Sequence, residues 1–435
     1  MSLPFARPIS RREGARLCVV AIALALTHGA AAAQQNTLTL EGALQASTSR
    51  SASIAATQSS IGASSEAAVK ANQLPNPILT AGIDNLPTNG QQAFTVGQNI
   101  LTMQRIGIQQ EWVSSGKRQL RSTLANQMVD REQSAYLEQL VSVRQQTAVA
   151  WLNAAYAKKA LALHQALVGH MTQELAATRA SYQGAKASAA DVTQAQLMLA
   201  QTQDQLLKAQ QSWKTTLIGL SRWATSAVTD VAGEPPPPES VVASLPPKQL
   251  RLVQPTLIAA ASAIGVADAD TAVASSNRDS DWTWGVSYLQ GGSSSRFVSV
   301  GVSIPLTFNH RNVEDRDVAQ KAALSNKARL LYEDTQRQVE TDVQTLAATL
   351  ASGRERMANL RQSLLPAADR GVKLAAAAYR AGTGTLASTF AAKRSELDAQ
   401  LQVLDLQREM SMIWAQLDYQ VVPPAVLANP KRSLP

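Results

Sequence analysis

Two stretches of the chain, Tyr182 to Gln196 (YQGAKASAADVTQAQ) and Tyr379 to Lys393 (YRAGTGTLASTFAAK), repeat one design 197 residues apart. Each opens on a tyrosine, continues through small or glycine residues (Gly184; Gly382 and Gly384), and reaches a hydroxyl residue, Ser188 or Thr385. Three residues later stands a helix-starting Asp191 or Ser388. Long helical patterns flank both stretches, so each reads as the tip of a helical hairpin. A repeat on this scale constrains the whole fold.

The order of elements around the tips repeats as well. In the first copy, Leu38 to Asn72 predicts a helix capped by Thr39 and ended by Pro75 and Pro77. Leu79, Ala81 and Ile83 then alternate with polar or small residues, the period of a half-buried strand. After a polar loop, Ile106, Ile108 and Trp112 alternate with Arg105, Gly107, Gln109 and Glu111 on the other face. From Gly116 a helical pattern runs to about Ser181, which at ~1.5 Å per residue spans roughly 100 Å, too long for a globular domain. Its stripe holds Leu137, Val141, Ala148, Leu152 and Ala155. Beyond the tip, Leu199, Leu206, Trp213 and Leu220 recur every seventh residue, the spacing of a coiled-coil seam.

A proline-rich linker, residues 225–248 with Pro235 to Pro238 at its centre, separates the copies. In the second, residues 249–420, Gln249 to Asn277 predicts a helix. Trp282, Trp284, Val286 and Tyr288 predict one strand, and Val298, Val300, Val302 and Ile304 a second closed by Pro305. A helix from Asn309 to Tyr379 and a returning helix marked by Leu397, Leu401, Leu404 and Leu417 complete the copy. Residues 421–435 read as an irregular tail, and residues 34–224 form the first copy. Within each copy two short helices, end to end, match the length of one long one.

Residues 1–33 read as an export signal. Arg7, Arg11, Arg12 and Arg16 precede an apolar core from Leu17 to Leu26, and Ala31 to Ala33 offers a cleavage site. The only cysteine, Cys18, begins that apolar core, so lipid attachment at the cleavage point and disulfides in the mature chain are not expected. Without the signal, 36 basic side chains face 31 acidic ones, scattered among each other, and no basic stripe for nucleic acid is present. No stretch after the signal reaches 18 consecutive apolar residues, so a membrane-spanning helix is not expected.

Strands with one apolar face and eight to ten residues each suit a bilayer-spanning sheet. Trp112, Trp282 and Tyr288 stand at or near strand ends, where interfacial aromatics sit. Four strands cannot close in lipid, where every backbone edge must be paired, so one chain would supply a share of a joint barrel. Its lipid-facing residues would be Leu79, Ile83, Ile106, Ile108, Trp112, Trp282, Trp284, Val286, Tyr288, Val298, Val300, Val302 and Ile304. A small soluble sheet covered by helices is the alternative.

Several motifs carry a resemblance. These are LTLEGAL at Leu38 to Leu44, LPNP at Leu74 to Pro77, GKRQLR at Gly116 to Arg121, IPLTFNHRN at Ile304 to Asn312, and the two tyrosine-anchored tips. In this order the chain resembles the TolC family of outer-membrane efflux proteins over nearly all of its mature length. The LPNP and GKR pattern is most similar to the CzcC/CusC-type branch, the exit ducts of heavy-metal cation pumps. The resemblance implies a mainly helical fold with a small β part. It implies a homotrimer in outer-membrane lipid, a twelve-stranded barrel continued by a helical periplasmic tunnel, and an equatorial region built from the linker and tail. A periplasmic adaptor and an inner-membrane pump would be its partners, with no cofactor.

By position, Tyr182, Asp191 and Tyr379 fit the family's closing contacts at the tips. Gly384, Ser388 and Ala391 depart from that pattern, and Lys186 and Arg380 could supply different contacts. Asp191 fits an ordinary first-turn acid equally well. The two tyrosines fit hairpin packing, and Gly382 and Gly384 a turn.

Gly116 to Arg118 reads as a helix start at the junction of sheet and tunnel. His164 and His170, six residues apart, fall on opposite faces of a helix and make no ligand pair, and His310 is isolated. Asp268 and Asp270 read as a solvated helix face. No HExxH, P-loop, dinucleotide fingerprint or GxSxG occurs, so no enzymatic activity is expected. An exit component for protein secretion or multidrug efflux shares the architecture, and a soluble periplasmic coiled-coil scaffold is the reading from another class.

Overall fold

A computed structural model describes residues 37–292 and 295–428. The expected export signal, part of the Gly291–Ser295 loop and the end of the tail lie outside the described residues.

The chain is mainly helical, with a four-stranded sheet at one place and a two-residue pair at another. After β1 (Thr37–Leu38), Thr39 caps α1 (Leu40–Arg50), its Oγ1 accepting the Gly42 N–H at 3.1 Å. The helix expected over residues 38–72 is two helices. Ser51 takes an extended backbone and caps α2 (Ala52–Ala71) by accepting the Ile54 N–H. Its hydroxyl thus competes with the helix for backbone donors, as serine commonly does.

Strands β2 (Ile78–Asp84) and β3 (Met103–Trp112) follow, and Ser114 then caps α3 (Ser115–Gln183), accepting the Lys117 N–H at 3.2 Å. This helix is 69 residues long, about 100 Å at ~1.5 Å per residue. It is the spine of the molecule: α1, α2, α4 (Ala189–Ala224) and two helices of the second half all pack on it. The expected stripe holds, with Val141, Ala148, Leu152 and Ala155 buried. The seven-residue seam on α4 is buried at Leu220, while Leu199 and Trp213 pack partly buried against the cores.

The linker contributes β4 (Asp230–Val231), which pairs in parallel with β1. The second-half helix expected from Gln249 to Asn277 is α5 (Pro247–Val253) and α6 (Pro255–Ser276). Pro255 supplies no N–H and forces Gln254 into an extended conformation, so the helix restarts there.

β5 (Trp282–Gly291) and β6 (Arg296–Ser303) lead to α7 (Glu314–Asn359). That helix begins at Glu314, not Asn309, and is interrupted. A π turn over Leu360–Leu364 precedes α8 (Leu365–Arg380), whose second residue is Pro366. The wider turn relieves the clash a proline ring makes with the carbonyl four residues back. α9 (Leu386–Asp418) returns along α8, α7 and α3, and α10 (Pro424–Ala428) lies within the tail expected to be irregular.

Among the described residues four apolar clusters hold the helices together, one of them joining Ile54 and Ile61 of α2 to Tyr136, Leu140 and Val143 of α3. At mid-length, Leu44, Trp151, Leu152, Leu220 and Trp414 pack together, and the Trp151 indole N–H donates to the Leu38 carbonyl at 2.8 Å. Beside it, Leu257, Val339, Leu350, Met410 and Leu417 join α6, α7 and α9. Near the tips, Leu167, Met171, Leu175, Phe390 and Leu397 join the two hairpins.

α6 is long and apolar enough, by length and composition, to cross a bilayer, a property that a count of consecutive apolar residues did not show. It also carries Asp268 and Asp270, which lie partly in solvent, as expected, and in addition form ion pairs. Asp268 binds Arg329 through both carboxylate oxygens, at 2.8 and 2.7 Å, and Asp270 pairs with Lys321 at 2.8 Å. With Arg278–Asp315 at 2.8 Å, these pairs fasten the α6 segment to α7. The Asp270 carboxylate accepts a hydrogen bond from Lys321 and raises its pKa.

Candidate functional site

The sheet has the order β2-β3-β5-β6, every neighbour antiparallel. Its register places the alternating residues of all four strands on common faces, because partners directly opposite point to the same side. Leu79 faces Ile108, Ile106 faces Tyr288, Trp112 faces Trp282, Trp284 faces Val302, and Val286 faces Val300. Together with Ile83 and Val298 these residues form a mostly apolar face, with Gln110 among them and Gln104, Gln290 and Arg296 at one end, nearly all of it exposed in the single chain. The expected strand ends one residue early: β6 stops at Ser303, and Ile304 follows it, exposed.

The opposite face is polar and small at its centre, where Thr80, Arg105, Gln109, Thr283, Ser287, Ser299 and Ser303 line a shallow hollow, and it carries Ile78, Leu289 and Phe297 toward its ends. Gly107 belongs to this face, and a Cβ on it would lie 2.6 Å from the Ser287 Cβ, so only glycine permits that approach. The outer strands, β2 and β6, each present an unpaired edge.

The sheet joins the helices through a buried lysine. Lys117, on the first turn of α3, is 5% exposed; its ammonium lies 3.0 Å from Asp281 and donates to the Asp279 carbonyl at 2.7 Å. Arg121 adds a longer contact to Asp281 at 3.4 Å, and Arg118 donates to the Asn72 and Val113 carbonyls. The GKR stretch is therefore the helix start expected, and in addition the bond between the first and second halves just below the sheet.

At the other end of the spine the two tips share one backbone solution. The N–H groups of Gly184, Ala185 and Lys186 donate to the carbonyls of Ala180, Tyr182 and Ser181. Those of Ala381, Gly382 and Thr383 donate to Ala377, Tyr379 and Ala378, the same pattern 197 residues on. Ser188 and Thr385 cap the returning helices, accepting the N–H of Asp191 and Ser388 at 3.1 and 3.2 Å. Asp191 closes a capping box by accepting the Ser188 N–H and hydroxyl at 2.9 and 2.8 Å. Those hydrogen bonds hold its pKa below the ordinary carboxylate value.

The tips differ in what they touch. Tyr379 packs against the tip cluster, and burial, with the Asp191 and Glu174 carboxylates nearby, raises its hydroxyl pKa. Tyr182 is half exposed and joins no such cluster. The structure thus brings Asp191 toward Tyr379 but leaves Tyr182 apart. Lys186 and Arg380 form no ion pair among the described residues; Arg380 donates to the Ala376 carbonyl of its own helix. Glu174 was not singled out in the sequence, where nothing marks one acid on a long helix. Among the described residues no cluster of histidines and acids could hold a metal. His164 lies partly buried, its Nδ1 without a partner and its pKa lowered by desolvation.

Residues 249–419 match the family model described as Outer membrane efflux protein. The match covers the second copy and leaves the first outside it. No curated protein sequence matches the chain.

Solved structures share the fold over most of the chain. The outer membrane protein VceC of Vibrio cholerae aligns with a TM-score of 0.71 at 16% identity, over 88% of this chain and 95% of its own. The Campylobacter jejuni outer membrane channel CmeC gives 0.74 at 12% identity, over 91% and 89%. CusC, whose structures concern transmembrane channel formation, gives 0.69 at 15% identity, over 87% and 91%. The three fit almost equally well, so the fold does not single out one of them.

Proposed function

We propose that the protein is the outer-membrane exit duct of a tripartite efflux system, a homotrimer whose sheets join into a closed barrel and whose helices form a periplasmic tunnel. The observation that carries this reading is the two-faced sheet with two open edges: an apolar face from Leu79 to Val302 and a polar face with Arg105 and Gln109. In lipid such edges are tolerated only if another copy covers them. The polar face then lines the pore, and Trp112 and Trp282, 6.0 Å apart, sit at the inner membrane boundary.

The duct makes and breaks no bonds. The tips at Tyr182 to Asp191 and Tyr379 to Ser388 form its periplasmic entrance, where an adaptor linked to an inner-membrane pump docks. The sequence resemblance favours heavy-metal cations as cargo, with other small toxic compounds served by the same architecture.

Deletion of the protein tests cargo directly, by growth inhibition on zinc, cadmium, cobalt, copper and silver salts beside dyes, detergents and antibiotics. Sensitisation to metals alone supports the cation branch, and sensitisation to drugs alone reassigns the cargo while keeping the duct. Recovery of the protein from the periplasm without detergent overturns the duct itself.

A further inference from the structure

The apolar face of the sheet changes character at the end far from the helices. There Ile83 lies opposite Gln104, Gln104 opposite Gln290, and Gln290 opposite Arg296. One cross-strand row thus runs the full width of the sheet, and three of its four side chains are polar. All four residues are exposed. Residues directly opposite share a face, and this is the face of Ile106, Tyr288 and Val298, which form the next row toward the helices. On the other face the pattern also inverts at this level, where Leu289 and Phe297 stand beside Arg105.

The polar row sits at a definite depth. Trp112 lies opposite Trp282 near the helices, and Gln104 lies opposite Gln290 eight residues farther along both strands. At ~3.4 Å per residue that is about 27 Å along the strand. At a tilt of about 40° it is roughly 21 Å of depth, against an apolar band about 25 Å tall in outer-membrane barrels. With the tryptophans at one headgroup layer, Gln104, Gln290 and Arg296 stand at the other, on the outer side.

Arg296 is the only charged side chain on this face of the four strands. Its guanidinium makes no hydrogen bond or ion pair among the described residues, whereas Arg105, on the other face, pairs with Asp84 at 3.2 Å. Asp84 is the sole acid of β2 and shares the face of Arg105. A neighbouring copy that seats its β2 along the edge of β6 therefore brings no strand carboxylate to Arg296.

We propose that this row binds the phosphate of an outer-leaflet lipid. A guanidinium at the edge of hydrocarbon, with no carboxylate on its own face, takes its anion from the surroundings. Its fork of N–H donors matches two oxygens of a phosphate. The Gln290 carboxamide opposite adds a donor to the same anion, and Gln104 adds another one strand away, at a spacing of about 4.8 Å. The row of Ile106, Tyr288 and Val298 gives the acyl chain an apolar bed, so head and chain meet adjacent rows. That adjacency selects a lipid over free phosphate. The inference rests on the duct reading, which sets the sheet in the membrane with the helices toward the periplasm.

The test uses the full-length protein in mild detergent and native mass spectrometry to count bound lipid. The probes are bis-phosphorylated lipid A, its dephosphorylated form and phosphatidylglycerol, with inorganic phosphate as competitor. The phosphorylated lipid A should be retained in preference to the others. Arg296→Gln should weaken its retention about tenfold or more with the oligomer intact, and Arg296→Lys should restore part of it. Gln290→Leu, which keeps the charge, should weaken it less, and Arg105→Gln on the pore face should leave it unchanged.

Equal retention of the dephosphorylated form, tighter binding of phosphatidylglycerol, displacement by inorganic phosphate, or indifference to both Arg296→Gln and Gln290→Leu overturns the inference. Channel conductance in planar bilayers is measured in parallel. Its absence in the wild type sinks the duct reading; conductance without a preference for the phosphorylated lipid sinks this inference alone.

Discussion

Ala185 and Gly382 hold the same left-handed backbone position in the two helical tips, with φ of 59° and 74°. Only one of them is a glycine. The backbone N–H bonds of Gly184 to Lys186 match those of Ala381 to Thr383, with one more from Gly384 to the Ala378 carbonyl in the second tip, so the first tip adopts a conformation that its own residue disfavours. An L residue with a Cβ pays about 1–2 kcal/mol for this region.

Ala185→Gly is therefore expected to stabilise the first tip by about 1 kcal/mol, and Gly382→Ala to destabilise the second by a similar amount. Amide hydrogen exchange in the first turns of α4 and α9 reads this out. Equal and opposite changes in protection confirm the strain, and no change at either tip refutes it.

The junction below the sheet makes a second prediction. Lys117→Met leaves Asp281 with only the longer Arg121 contact, in a place where little water reaches. Breaking one partner of a buried pair is expected to cost on the order of 3 kcal/mol. The double change Lys117→Met with Asp281→Leu should recover most of that loss. Unfolding midpoints in denaturant decide the matter: a double variant no better than the single one would mean that packing, not charge, holds the junction.

A third prediction separates the two faces of the sheet. Val300 and Ser299 are neighbours in β6 and both are exposed in the single chain. An arginine at 300 would face lipid at a penalty of about 2–4 kcal/mol near mid-bilayer, while one at 299 would face the pore. Val300→Arg should abolish detergent-resistant oligomers, and Ser299→Arg should leave them intact with altered conductance. Equal tolerance of both would contradict the barrel.

The tips should also respond to pH, with a sign fixed by their hydrogen bonds. Asp191 has its pKa lowered in the folded protein, so its contribution is present above the unfolded value, about 3.9, and is lost as pH falls through the folded one. Tyr379 has its pKa raised, so its contribution is full below about 10 and fades as pH climbs through the higher folded value. The first turn of α4 should lose exchange protection on acidification below the carboxylate range. Asp191→Asn should remove that dependence, and Ser188→Ala should weaken the turn by about 1 kcal/mol at neutral pH. An unchanged acid profile in Asp191→Asn would show that another group governs the tip.

Strands and tips were legible in the sequence for a physical reason. Alternation at period two cannot persist by chance over all four strands, and capping residues carry their signal within four positions. What stayed hidden depended on distance or on subtle backbone preference. Arg329 stands 61 residues from Asp268, so nothing local announces that pair, and the acids of α6 read as solvated. Ser51 breaks a helix without a proline, by offering its own hydroxyl as a cap. Pro366 was visible, but whether a proline ends a helix or is absorbed by a π turn is decided by the packing of α7 and α9 around it.

The two open edges of the sheet carry a genetic consequence. If neighbouring copies complete one another strand by strand, β6 of one against β2 of the next, then each assembly is only as sound as its worst member. A variant with a spoiled edge but normal helices would still be recruited into mixed rings. With equal expression of spoiled and normal chains, most rings would contain at least one bad copy. Lesions in β2 or β6 should therefore behave as dominant alleles, whereas deletion of the whole chain should be recessive.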